Sequence, residues 1–202
     1  MVSRMLVNYH AFAYVSLTLE FPAILRTVLT ESRGPVPHER SFSPMNTLPA
    51  AAARVQAVAD SLGLAIAVQS MPDSTRTAAE AAAACGCDVG QIVKSLVFQG
   101  KDTGRPLLLL VSGANRVDEK GVAVTVGEQL VRPDAGFVRT VTGFAIGGIP
   151  PFGHATPLAT WIDEDLLQYE VVWAAAGTPN AVFAVDPAQL RAAVAATVLR
   201  VV

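Results

Sequence analysis

Ile92-Val93-Lys94-Ser95-Leu96-Val97-Phe98, followed after a short polar stretch by Pro106-Leu107-Leu108-Leu109-Leu110-Val111, decides how this chain folds. Both runs are apolar at consecutive rather than alternate positions, which marks strands covered on both faces. The residues around Lys101–Gly104 supply the turn between them, so the pair is predicted to be a hairpin inside a sheet. One residue contradicts the pattern. Lys94 shares a strand face with Ile92, Leu96 and Phe98, while Ser95 lies on the other face with Val93 and Val97. A buried ammonium is costly unless it meets an anion or a carbonyl. Lys94 therefore either snorkels to solvent from a strand end or faces a pocket.

Working outward from the hairpin, the elements alternate. Upstream, Val55, Val58 and Leu62 recur at helix spacing between Pro49 and Gly63, and a short strand is expected over Ala65–Gln69. Thr77-Ala78-Ala79-Glu80 fits a capping box that opens an alanine-rich helix, closed at Gly86. Downstream, Asp118–Val126 and Asp134–Thr142 read as helices, the second stopped by Gly143. Leu158–Ile162 and Glu170–Ala174 read as strands, and Gly177-Thr178-Pro179-Asn180 turns the latter back into Ala181–Val185. Asp186-Pro187 opens a helix through Ala195, and Thr197–Val201 is a last strand. Strands joined both by hairpins and by helices predict an α/β fold with a compact mixed, largely antiparallel sheet.

The chain has 202 residues, 51% of them hydrophobic and 16% charged, enough for one well-cored domain. A net charge of −2 gives no broad basic field, so any nucleic-acid contact is expected to be local. No apolar run approaches the ~18 residues that span a bilayer. The two cysteines, Cys85 and Cys87, are too close to staple a fold and lack the partner pair of a zinc site; reduced thiols in a cytoplasmic protein are the simplest reading. Residues 1–44 stand apart: Asn8, His10, Glu20 and Pro22 spoil a signal peptide, and Pro35, Pro37 and Pro44 make Ser32–Pro44 a linker. They are expected to be an extension outside the native protein, with Met45 as the natural start and residues 45–202 as a single domain.

The chemistry concentrates in Gly147-Gly148-Ile149-Pro150-Pro151-Phe152-Gly153-His154. Glycines let another molecule approach the main chain, and consecutive prolines stiffen it, so the loop suits holding a carbonyl or an oxyanion on bare amides. A rigid surface turn is the bland alternative. With three histidines, two of them at His10 and His38, a triad or a histidine metal site would rest on His154 alone. No phosphate loop or dinucleotide fingerprint is present, and no cofactor or metal is expected. A pocket lysine with a loop of bare amides suits hydrolysis of an activated ester by a positioned water. The same parts also suit ligand binding without turnover.

Val93-Lys94-Ser95-Leu96-Val97-Phe98, Thr142-Gly143, Ile146-Gly147-Gly148-Ile149-Pro150-Pro151-Phe152-Gly153-His154, Trp161-Ile162-Asp163 and Ala176-Gly177-Thr178-Pro179-Asn180 together resemble the YbaK-like aminoacyl-tRNA deacylases, relatives of the editing domain inserted in bacterial prolyl-tRNA synthetases. The resemblance runs in order from about Leu48 to the C-terminus. It implies hydrolysis of the ester between a wrong amino acid and the terminal adenosine of a tRNA, of the cysteinyl- or alanyl-tRNA(Pro) type, with prolyl-tRNA synthetase as a further partner. It implies Lys94, Gly147, Gly148 and Pro151 as the candidate catalytic group: the lysine matches the residue that engages the tRNA terminus, and Gly147 to Pro151 match a Gly-x-x-x-Pro loop. Ile149, Pro150, Phe152, Gly153, His154, Gly177, Thr178 and Asn180 are the substrate-binding candidates that follow from it, with Asp163 as an additional position; a histidine after a glycine also serves to cap a turn, and an aspartate before a helix usually caps it. Ser95 carries a hydroxyl, but its strand face points away from Lys94. A non-catalytic module that binds a tRNA end, a small carbonyl ligand or a synthetase is the competing reading.

Overall fold

The computed structural model describes residues 48–202, and the expectations for residues 1–44 and for Met45 lie outside the described residues. The chain runs α1 (Ala50–Ser61), β1 (Gln69–Ser70), α2 (Ala78–Cys85), β2 (Ile92–Gly100), β3 (Pro106–Ser112), α3 (Glu119–Val126), β4 (Leu130–Val131), α4 (Ala135–Thr142), β5 (Ala159–Asp163), β6 (Val172–Ala175), β7 (Ala181–Val185), α5 (Pro187–Ala193) and β8 (Thr197–Leu199), with 3-10 turns at Val89–Gln91 and Glu164–Gln168. The strands form one mixed sheet in the order β1-β7-β6-β2-β3-β5-β8, with β4 also on β2. The β2–β3 and β6–β7 hairpins are antiparallel, whereas β2–β6, β3–β5 and β5–β8 are parallel.

Strand β3 shows why its sequence is apolar throughout. Leu108 and Leu110 pack into a core with α1, α4 and α5, while Leu107, Leu109 and Val111 pack on the opposite face against Val122 of α3, Leu199 and Val201. All five are at most 4% exposed. Helix α2 forms as its first turn predicts: Thr77 accepts from the Glu80 amide, and the Glu80 carboxylate accepts from the Thr77 amide.

The segment expected as a strand over Ala65–Gln69 pairs only from Gln69 onward. Its upstream part lies along α1, where Gln56 Nε2 donates to Ile66 O at 3.1 Å and Gln56 Oε1 accepts from Val68 N at 3.0 Å. One side-chain amide thus stands in for a neighbouring strand. The two-residue β4 is too short for any periodicity to show in sequence, and α5 stops two residues earlier than expected, at Ala193.

Strand β2 has a discontinuous second edge. Pairing with β3 runs without a break from Val93 to Gln99. On the other edge β6 pairs only Ile92 and Val93, and β4 only Gln99 and Gly100. Lys94–Phe98 therefore has no partner strand on that side, and this gap inside the sheet positions the site.

Candidate functional site

Two clefts meet at the gap, one of about 730 Å³ toward Asn115, Arg116 and Arg132, the other of about 320 Å³ toward Arg76, Trp173 and Gly147. Both are walled by Lys94, Ser95, Leu96, Ile146 and Ile149. Lys94 has the carbonyl partners that a half-buried ammonium requires: its Nζ donates to Gly113 O at 3.2 Å and to Asn115 O. Burial pulls the Lys94 pKa below 10.5, Asp163 opposes that shift, and Arg116 adds to it.

The carbonyls that hold Lys94 are themselves held. Asp163, 1% exposed, accepts through Oδ2 from Ser112 N at 3.0 Å and from Asn115 Nδ2 at 2.9 Å. Asn115 Nδ2 also donates to Asp165 Oδ2 at 2.7 Å, and Ser112 Oγ donates to Gly90 O at 2.8 Å. Asp163 does cap the following 3-10 turn, through its Oδ1 and the Asp165 amide at 3.2 Å. The same carboxylate fixes the Ser112–Asn115 corner that carries the lysine's acceptors. Asn115 was not legible in sequence, because Gly113-Ala114-Asn115 reads only as a turn after a strand.

The Gly/Pro loop is divided between cleft and core. Gly147, at φ +94°, and Ile149 line the cleft, and among the described residues their amides meet no protein acceptor. The Gly148 amide is used locally, donating to Ala145 O at 3.2 Å. A Cβ on Gly148 would lie 2.7–2.9 Å from the Thr178 backbone, so only glycine lets the loop and the Gly177–Asn180 turn touch. That turn is pinned in return: Thr75 Oγ1 donates to Pro179 O at 2.7 Å and Asn180 Nδ2 to Asp73 O at 3.0 Å.

Several nominated residues serve the scaffold instead of the cleft wall. Phe152, 5% exposed, packs on Phe183 with ring centroids 5.5 Å apart. Pro150 and Pro151 are buried, and Gly153 lies against Val58 of α1. His154 Nε2 is 2.9 Å from Pro150 O, and its ring meets Phe144 edge-on at 6.4 Å, with Arg54 stacked over the other ring at 4.0 Å. Burial lowers the His154 pKa below 6.5; Pro150 O opposes and Arg54 reinforces that shift. His154 is thus a clasp that holds the loop. Ser95 borders both clefts along the edge of β2, while its Oγ is buried.

Cys85 and Cys87 are free thiols at the end of α2. Burial, then the neighbouring Cys87, pushes Cys85 up to about 11. Among the described residues no cluster of three or more His, Cys, Asp or Glu is placed to hold a metal, and no helix is long and apolar enough to cross a membrane.

Residues 72–193 match the family model of the aminoacyl-tRNA editing domain. The chain is 30% identical over 117 residues to the protein YwhH of Bacillus subtilis (strain 168), covering 58% of this chain and 74% of that one. It is 50% identical to a crystal structure of a candidate trans-editing enzyme for prolyl tRNA synthetase, with a TM-score of 0.72 over 76% of this chain and 98% of the other. The crystal structure of the hypothetical protein APE2540 aligns at 28% identity with a TM-score of 0.69, covering 73% and 98%. The match spans the β2 lysine, the Gly/Pro loop and the Gly177–Asn180 turn, which are the parts gathered at the gap in the sheet, and the chain belongs to the YbaK-like aminoacyl-tRNA editing family.

Proposed function

We propose that the chain is a free-standing deacylase that removes a wrong, small amino acid, of the alanyl or cysteinyl type, from the acceptor end of a tRNA(Pro). The observation that carries this reading is Lys94, fixed by two main-chain carbonyls at the junction of two clefts whose other wall carries the unpartnered amides of Gly147 and Ile149. Two of the three ammonium protons are committed to Gly113 and Asn115, which leaves one donor for the terminal ribose or its phosphate. The loop amides suit the ester carbonyl and the negative charge that grows on its oxygen.

In the reaction a water oxygen bonds to the carbonyl carbon, the bond from that carbon to the ribose oxygen breaks, and the proton lost by water ends on the ribose oxygen. An aminoacyl ester is activated enough for positioning and charge stabilisation to suffice. In a cysteinyl substrate its own thiol can make the attack in place of water. His154 has its Nε2 engaged by Pro150 and is not placed as the base. The small cleft, walled by Ile92, Trp173 and Ala174, favours a short side chain. Prolyl-tRNA synthetase is the partner that would supply mischarged tRNA.

The test is deacylation of cysteinyl-, alanyl- and seryl-tRNA(Pro), with prolyl-tRNA(Pro) as control, by wild type and Lys94→Ala. One mischarged species should be hydrolysed, with a loss of roughly 10²–10³-fold in the variant. Full activity in a folded Lys94→Ala would remove the lysine from the mechanism. A folded wild type that turns over none of the four would leave a tRNA-end binding module as the better description.

A further inference from the structure

Strand β2 carries main-chain groups that nothing in the fold claims. In an antiparallel pair the N–H and C=O of one residue point to the same side, and successive residues alternate sides. Ile92 O accepts from Gly113 N and Gly100 N donates to Arg105 O, both toward β3, so the even-numbered residues of β2 turn to that neighbour. Lys101 N donates to Gln129 O on the opposite side, beside β4. On that side Val93 meets β6 and Gln99 meets β4, while among the described residues the main-chain groups of Ser95 and Val97 meet neither a strand nor a loop. Both residues are part-exposed and line the larger cleft. Because the Ser95 Oγ is buried, what Ser95 shows to that cleft is its backbone and Cβ. Main-chain donors and acceptors inside a sheet are normally paired, so an open pair of residues there calls for a partner.

The gap is a slot lying in the plane of the sheet. Val138 and Ile149 belong to the core on one face, Leu96 and Val117 pack against the core on the other, and all four line the larger cleft. A ligand beside Ser95 and Val97 therefore has aliphatic side chains above and below it, and in front of it an edge of alternating donors and acceptors. An added peptide strand fits poorly: it would find two open residues, with β6 and β4 closing the slot at ends about 20 Å apart at 3.3 Å per residue. A flat heterocycle with a donor and an acceptor side by side on its rim fits well. Adenine is such a ring, its N6 amine donating and the ring nitrogen beside it accepting. Arg116 and Arg132 border the same cleft and suit a nucleotide phosphate. We propose that the larger cleft is a base slot, in which the terminal adenine of the acceptor end bonds to the main chain of Ser95 and Val97, its amine to a carbonyl and its ring nitrogen to an amide. Lys94, at the junction of the clefts, then meets the ribose, and the amino acid enters the smaller cleft. The assignment rests on the deacylase reading for the identity of the ligand.

The experiment uses the unaltered chain and uncleavable analogues, so that binding and turnover separate. 3′-Deoxy-3′-(alanylamino)adenosine and its counterpart with purine in place of adenine, which lacks only the N6 amine, are titrated by NMR, and amide hydrogen exchange is followed with and without each. In the free protein the amides of Ser95 and Val97 should exchange faster than those of Lys94, Leu96 and Phe98, which β3 protects. The adenine analogue should bind roughly tenfold more tightly than the purine one, the worth of one hydrogen bond, and should slow exchange at Ser95 or Val97 by a similar factor. Uniformly slow exchange along β2 in the free protein would mean that these groups are already claimed and would overturn the assignment. Equal affinities, or exchange at both residues unchanged by saturating adenine analogue, would overturn it as well. An adenine preference with protection at Ser95 or Val97, in a protein that hydrolyses no aminoacyl-tRNA, would uphold the slot and overturn the deacylase reading. Hydrolysis together with equal affinities would do the reverse.

Discussion

Lys94 stands out because its chemistry conflicts with its surroundings: a cation in a run of buried strand residues requires a partner, and the structure supplies carbonyls from Gly113 and Asn115. Which partner it would be was invisible in sequence. Asn115 and Asp163 are 48 residues apart, and only the parallel pairing of β3 with β5 brings them to 2.9 Å. Asp163 touches no part of the cleft, so it is a positioning residue, and it acts on Lys94 in two ways. It fixes the corner that holds the ammonium, and its charge counters the desolvation that lowers the lysine pKa. If protonated Lys94 is required, kcat/KM must fall on the alkaline side below pH 10.5, because the folded-state pKa is depressed from that value. Asp163→Asn removes the counter-charge, so that alkaline limb should move to still lower pH, with an activity loss on the order of 10²-fold from misplacement. The pH–rate profiles of the two proteins check this. A loss of rate with an unmoved limb would mean that Asp163 acts on structure alone.

At the scale of elements, the helices and hairpins that close through local contacts were legible. The Thr77–Glu80 capping box, the β2–β3 turn and the Gly177–Asn180 turn each carry their signal within a few residues. What failed were segments whose partners are distant: residues 65–68 are satisfied by Gln56, and β4 exists only because Gln99 and Gly100 offer it an edge. The Gly/Pro loop lies between these cases. Its composition announces a stiff turn, yet which residues face the cleft depends on how His154 clasps it from inside. That clasp has a pH signature. Because burial lowers the folded pKa of His154 below 6.5, the unfolded chain binds its proton first as pH falls. Between 6.5 and the folded value the unfolded state therefore holds more protons, so this group makes stability fall as pH falls, and it contributes no slope above 6.5. His154→Gln keeps a donor for Pro150 O but cannot titrate. Unfolding midpoints measured in urea from about pH 7 to about pH 5 should decline less steeply in His154→Gln than in wild type. Parallel curves would mean that the ring is protonated as easily in the folded state as outside it.

At the scale of the whole molecule, electrostatics limits how a tRNA can be held. A net charge of −2 offers no general attraction to a polyanion, so the grip must come from cations placed at the site. Arg76 borders the smaller cleft, while Arg116 and Arg132 border the larger. Arg132 is tied to Glu119 at 2.7 Å, but among the described residues the guanidinium groups of Arg76 and Arg116 form no ion pair. Arg116 also lies close enough to Lys94 to depress its pKa, a repulsion that a phosphate between them would relieve. A single-stranded acceptor end that engages about three such cations should release few counterions, giving log(kcat/KM) against log salt a slope near −2, at about −0.7 per phosphate. Arg116→Ala should make that slope shallower by about 0.7 and lower the rate at low salt, while leaving the amino acid preference intact because the smaller cleft, proposed to take the amino acid, lies on the other side of Lys94. Steady-state kinetics over a salt series with the same mischarged tRNA provides the measurement. A wild-type slope steeper than about −5 would require a phosphate footprint far beyond the two clefts, and an Arg116→Ala slope equal to the wild-type one would place the acceptor end on the Arg76 side alone.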